Sequence, residues 1–245
     1  MLVLRHSFLQ EGRRRPRLKT FITIFSILLT LAAYFLSRKA AHKYPSPLTS
    51  PVFLSTVIVI SILLLLKIPY EEYVPARALM TYFLGPATVA LAVPLYKQRS
   101  VIAANLVPAF AGLFAGTVST IISAVILAKL LHLSNNILIS LTIKSITIPV
   151  ASEVSTIIGA DSILVATFVM ITGMCGAMVG PWLMDIMNIS HPFPRGLAIG
   201  TIAHGIGTAE AAREGELQGA VSGAAMGLAA VITSLLIPVF LPFLL

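Results

Sequence analysis

Charge is what this sequence has little of. Lysine, arginine, aspartate and glutamate make up 11% of 245 residues, and only 9 side chains are acidic. Soluble domains average roughly 25% charged residues, so there is too little charge to hydrate a surface around 57% hydrophobic residues at a mean hydropathy of +0.95. A water-soluble fold is excluded. Cysteine is scarcer still: Cys175 stands alone among Met174, Gly176 and Ala177, which excludes an intrachain disulfide and reads as a small buried hydrophobe. Also missing are Cys/His metal spacings, a nucleophile beside a base, and any clustering of the acidic residues. Gly205 and Gly207 begin a dinucleotide fingerprint, but no strand precedes them and the third glycine is absent. The sequence therefore argues against an enzyme and calls for no cofactor.

What is present is apolar sequence recurring from Phe21 to the carboxyl terminus, with no polar block of domain size. The expectation is an all-α, polytopic transmembrane bundle: a basic segment at 1–20, to which no function is attached, and one membrane domain at 21–245. The net charge of +8 owes much to Arg5, Arg13, Arg14, Arg15, Arg17 and Lys19. Such flanks set topology and touch anionic headgroups, and no nucleic-acid module accompanies them. A bilayer-crossing helix needs about 20 apolar residues, and the ordinary candidates are 21–36, 48–68, 102–131, 163–189 and 220–244. The first is followed by Ser37, Arg38 and Lys39 rather than a cleavage site, so it reads as a membrane helix that must borrow flanking residues. Residues 69–77, charged and bracketed by prolines, read as a linker.

Three further segments, 84–98, 142–153 and 194–210, are apolar but carry glycine or proline together with hydroxyls and, in two cases, an ionisable side chain. Unpaired backbone cannot face lipid, so interrupted helices at membrane depth survive only inside protein or beside a water-filled cavity. Their exposed helix ends can hold an anion. The prediction is a set of interrupted or re-entrant helices framing a solute pathway. A repeat at an offset of 115 pairs Gly85 with Gly200 and Gly112 with Gly227, the pattern of duplicated transporter halves. Small-xxx-small steps such as Gly112 with Gly116 read as helix packing within the chain, with a homo-oligomer face as the alternative.

These segments carry the candidate site. Lys144 is costly in an apolar run unless it meets an anion, a cavity or a partner; otherwise it snorkels or pairs with Glu153. His204 either binds carboxylate or relays a proton, or is a histidine bonded between helices for structure. Thr88, Ser145, Thr147, Thr201 and Thr208 offer hydroxyls to a substrate, though hydroxyls in helices often bond backbone carbonyls instead. Gly205 and Gly207 complete the third segment's substrate-binding set. Glu153 is a candidate coupling-ion or proton site, or a helix-end residue. Arg195 reads as an anchor at the interface, and Trp182 and Asp185 also look interfacial.

The same segments resemble the LrgB/CidB family of holin-like and antiholin-like membrane proteins, which includes the plastid glycolate and glycerate translocator. Residues 84–98 read as its LGPATVALAVPLYKQ block, 144–153 as its K-S-[IV]-T-x-P-[IV]-A-x-E block, and 193–227 as its RG-x-A-x-GT-x-x-HGIGTA block with the following small-residue helix. The similarity covers about 21–245. It implies a transporter-like fold in the cell membrane, substrates of the glycolate, glycerate or pyruvate class, and a frequent companion, a separate LrgA/CidA-like membrane protein. The second reading within the resemblance is a holin-like or antiholin-like regulator of murein hydrolase export and lysis.

Overall fold

The computed structural model describes residues 16–44, 46–90 and 92–244; residues 1–15, 45, 91 and 245 lie outside it, with the side chains of residues 16–18, 84, 88 and 244. The basic amino-terminal segment thus falls largely outside the described residues. All regular elements among the described residues are helical, and five helical stretches are long and apolar enough to cross a membrane. The chain divides into two compact units, 1–88 and 89–245.

In the amino-terminal unit, α1 (Pro16–Lys43) does borrow its flanks, running well past the apolar core of 21–36. It packs against α2 (Pro51–Leu65) and α3 (Tyr70–Tyr82), with Ala33 and Ala76 buried and Thr30 hydrogen-bonded to the Tyr73 hydroxyl at 3.0 Å. Two expectations need correction. At about 1.5 Å per residue α2 reaches only about 22 Å, short of a full crossing. The stretch expected as a linker is helical: Pro69 precedes the first turn, and Glu71 and Glu72 sit in that turn, where the helix dipole favours them. The first of the three segments is helical wherever it is described, as α4 (Leu84–Ala90) and α5 (Ala92–Lys97), and residues 70–97 make one of the five stretches long and apolar enough to cross a membrane.

The carboxyl-terminal unit continues through α6 (Arg99–Ala104), α7 (Leu106–Leu130), α8 (Asn135–Thr142), α9 (Ile148–Ile158), α10 (Ser162–Ile186), α11 (Pro192–Glu214) and α12 (Glu216–Leu244). Its architecture turns on α11, which is not one rod. His204 has φ 41° and ψ −136°, and the chain doubles back there. A straight helix would put Arg195 and Glu214 about 28 Å apart, yet their side chains form an ion pair at 2.9 Å. Gly207 likewise abuts Ile199 and Ala203 of the preceding arm, so closely that an added Cβ would fall 2.7 Å from Ile199 Cγ2. The arms 192–203 and 205–214 are therefore a re-entrant hairpin with His204 at its tip.

Contact pairs fix the directions of the neighbours. Leu197 and Thr201 of α11 meet Gly112 and Gly116 of α7, so α7 runs parallel to the first arm. Ile199 and Ala203 meet Gly180 and Gly176 of α10, so α10 runs antiparallel to it. On α8, Leu138 packs with Val125 and Ala128 while the later Lys144 reaches back to Thr120, making α8 antiparallel to α7. The Ser155 and Ser162 hydroxyls pair at 2.8 Å across the α9–α10 turn, making α9 antiparallel to α10. These four relations close only if α8 and α9 also run in opposite directions. Residues 135–158 are then a second hairpin, with 143–147 as its tip, entering from the side opposite to α11.

The two halves match. Helices α7 and α10 each have 25 residues, and each is followed by a hairpin from the far side. Their carboxyl ends are closed in the same way 56 positions apart: Leu133 N–H to Ala128 carbonyl matches Ile189 N–H to Met184 carbonyl, with His132 and Asn188 both at positive φ. The same closure ends α2 at Lys67 and α9 at Gly159, so it marks helix ends; what relates the two halves is that α7 and α10, each with its hairpin, run in opposite directions. The pairing at 115 joins Gly112 of α7 to Gly227 of α12, helices that both run parallel to the first arm of α11. Cys175 also departs from expectation, being exposed; Gly173 and Ala177 take the buried face of α10, and the helical period turns Cys175 away from it.

Candidate functional site

The candidate site lies where the two tips approach. Residues 192–203 extend about 18 Å at about 1.5 Å per residue, a little over half of a hydrocarbon core about 30 Å thick. On α7 the tips are one helical turn apart: Thr201 seats on Gly116, and Lys144 Nζ donates to the Thr120 carbonyl at 3.1 Å. On α10 both converge at Val169. Its carbonyl accepts a 2.9 Å hydrogen bond from His204 Nε2, and its side chain packs with Ile143 and Ile146 of the first tip.

The local sequence explains both breaks. In the first hairpin, Pro149 sits in the opening turn of α9, where its missing N–H costs nothing, and Thr147 is the N-cap with no side-chain capping bond. The opening N–H groups of α9 therefore face the tip without a capping side chain, in the region of Lys144 and Ser145. In the second hairpin, Gly205 and Gly207 begin the returning arm, and Gly207 has no side chain to obstruct the first arm. Both returning arms start at the tips. The α9 amino terminus, with its partial positive charge, thus opens three residues after Lys144.

Of the residues expected at the site, the structure gathers Lys144, Ser145, Thr147, Thr201, His204, Gly205, Gly207 and Thr208 at these two tips. Their chemistry differs. Lys144 is partly buried and makes no ion pair with Glu153 among the described residues. The Thr201 hydroxyl donates to the Leu197 carbonyl at 2.7 Å, and Thr208 donates to the His204 carbonyl at 2.8 Å and pairs with Ser222 at 2.9 Å. Both hydroxyls are taken up by carbonyls four residues back, and Thr208 also ties the hairpin to α12. Glu153 is exposed on α9. Thr88 is on α4, and its side chain lies outside the described residues.

The sequence matches the LrgB-like family over residues 30–243. The chain belongs to the LrgB-like family. Among its relatives, YwbG of Bacillus subtilis is 37% identical over 78% of this chain and 85% of its own length, and YxaC of the same organism is 36% identical over 80% and 85%. The holin-like protein CidB of Staphylococcus aureus is 31% identical over 77% of this chain and 82% of its own length. No solved structure matches. With five helices able to cross a bilayer and this family membership, the chain is an integral, multi-pass membrane protein.

In this LrgB-like chain, the sequence alone does not reveal the clasp of the hairpin. Arg195 is buried and bonds Asp185 at 2.6 Å, Glu214 through two bonds of 2.9 Å, and the Ile189 carbonyl at 2.9 Å. It closes the hairpin rather than simply anchoring it at an interface. Glu214 lies nineteen residues on, and only the reversal at His204 makes the two neighbours. Thr117 was also passed over. It stands on the buried stripe of Leu113, Ile121, Ala124 and Ala128, where a threonine at helical spacing among apolar residues was the available signal.

Proposed function

We propose that this LrgB-like protein carries small organic carboxylates, of the glycolate, glycerate or pyruvate class, across the membrane. One observation supports the reading above the others: two re-entrant hairpins from opposite sides bring Lys144, the α9 amino terminus and His204 to one level of α7 and α10. A cation and helix amino termini at bilayer depth favour an anion. Inverted repeats with broken helices at the midplane are the usual construction of a carrier that opens alternately to each side. In this reading Lys144 takes the carboxylate, His204 positions the second tip, and the solute leaves chemically unchanged, so the chain is not an enzyme. Lipid is its environment; a homo-oligomer and a separate LrgA/CidA-like chain are the partners this reading allows.

The test is counterflow of labelled glycolate, lactate and pyruvate in proteoliposomes under imposed pH and sodium gradients. Saturable uptake, lost in Lys144→Ala while the protein still folds, is the expected result. Absence of saturable transport for every short carboxylate, with and without the companion chain, would overturn it. The holin-like name of the staphylococcal relatives supports the competing reading, release of solute through oligomeric holes. That reading requires leakage of dyes much larger than a three-carbon acid.

A further inference from the structure

The two hairpins are fastened by different means. The second sits in glycine seats on three sides. There is no room for a Cβ between Gly196 and the Gln218 carbonyl, or between Gly200 and the Ser222 carbonyl, so its first arm lies backbone to backbone on α12. A Cβ at Gly219 of α12 would fall 2.8 Å from the Ala212 Cα of the second arm, and Ala203 and Thr201 fill the seats at Gly176 of α10 and Gly116 of α7. Polar ties cross the same contacts: Arg195 to Asp185, His204 to the Val169 carbonyl, and Thr208 to Ser222. Backbones packed this closely leave no slack for sliding, because any shift drives one atom into another.

The first hairpin has no glycine from 135 to 158, and the atoms nearest the glycines of α7 and α10 all belong to residues 197–206 of the second. It is buried through branched side chains instead, Ile143, Ile146 and Val154 forming one apolar cluster with Ile121, Val165 and Val169. Apolar burial is non-directional, and elements packed through side chains shift by shear where interlocked backbones do not. Among the described residues the tip at 143–147 has one polar tie to another helix, Lys144 to the Thr120 carbonyl at 3.1 Å.

We propose that the first hairpin is the moving gate of the carrier site and that the second, with α12, is its fixed wall. What the gate admits rests on the carrier reading above; which hairpin moves does not. Displacing the first tip exchanges one hydrogen bond and slides aliphatic side chains. An anion at Lys144 replaces the neutral carbonyl with a stronger, charged partner, so occupancy and tip position are linked. Displacing the second tip would take Arg195 off Asp185, His204 off Val169 and Thr208 off Ser222, and would unseat the glycines as well. Two halves of opposite direction are thus fastened asymmetrically.

Hydrogen exchange of the full-length wild type in lipid nanodiscs tests the assignment without any substitution. Amides of 143–158 should exchange about tenfold or more faster than those of 194–210; equal protection, or the reverse order, overturns it. Electron-spin distances give an independent reading, with Cys175 replaced and labels on the exposed pairs Ile126→Cys with Ile148→Cys and Ile126→Cys with Ile202→Cys. The first pair should show two distances whose populations shift with added glycolate, and the second pair a single distance. One distance in the first pair, or two in the second, overturns the gate. Two distances that ignore glycolate in a protein that transports it overturn the link to the site. Asymmetric motion without transport of any short carboxylate overturns the carrier reading alone.

Discussion

Arg195 and Glu214, at the two ends of α11, form a bidentate ion pair: Nε to Oε2 at 2.9 Å and Nη2 to Oε1 at 2.9 Å. The contact makes both ends of α11 lie at the same face of the membrane, and it makes the guanidinium the clasp of the hairpin. Removing Glu214 leaves the buried guanidinium with Asp185 and the Ile189 carbonyl alone, and losing a hydrogen bond to a charged group typically costs about 1.5–3 kcal/mol. Glu214→Gln should therefore lower the melting temperature in detergent markedly, whereas Lys97→Gln, which removes only the exposed pair with Glu216, should change it little. Equal melting temperatures in the two variants would show that the clasp does not hold the hairpin.

Topology gives a direct check on the re-entrant geometry. With Cys175 replaced, single cysteines at Ser190 and Glu216 should react with a membrane-impermeant maleimide from one side, and cysteines at Ser134 and Ala160 from the other. Were α11 a simple crossing, Ser190 and Glu216 would label from opposite sides. The same logic applies to Ser134 and Ala160 if 135–158 crossed.

His204 adopts a backbone conformation that glycine reaches easily and other residues do not. Such conformations cost of order 1–3 kcal/mol and cluster at functional sites. His204→Gly relieves that cost while losing the bond to Val169, worth about 1 kcal/mol; His204→Ala loses the bond and keeps the strain. We expect His204→Gly to melt at or above His204→Ala, and both to lose transport. Full transport by His204→Gly would show that the imidazole contributes nothing beyond shape.

The imidazole also has a fitted seat. A Cβ added at Gly173 would lie 2.6 Å from His204 Nε2 and Cε1, while one at Gly112 would lie 3.1 Å from the end of the flexible Leu197 side chain. Gly173→Ala should displace the ring and cost about 1–3 kcal/mol through overpacking, with a loss of transport. Gly112→Ala should be tolerated with a smaller change in melting temperature. The reverse order would contradict the packing described for the second tip.

The sequence by itself determined the solvent. With 11% charge and apolar runs from Phe21 onward, the chain has too little charge to hydrate a surface, and glycine or proline combined with hydroxyls and an ionisable side chain within 142–153 and 194–210 marked where helices break, because broken backbone and charge both need shelter inside protein. The family was legible in the same motifs. What only the tertiary structure decided is direction. A break in a helix looks the same in one dimension whether the chain continues across the bilayer or returns, and periodicity carries no sign for it. The reversal at His204 and the one at 143–147 emerge from contacts between residues far apart in sequence, Arg195 with Glu214 and Lys144 with Thr120. Those contacts give the two hairpins opposite directions and set Lys144 and His204 on the same pair of helices, α7 and α10.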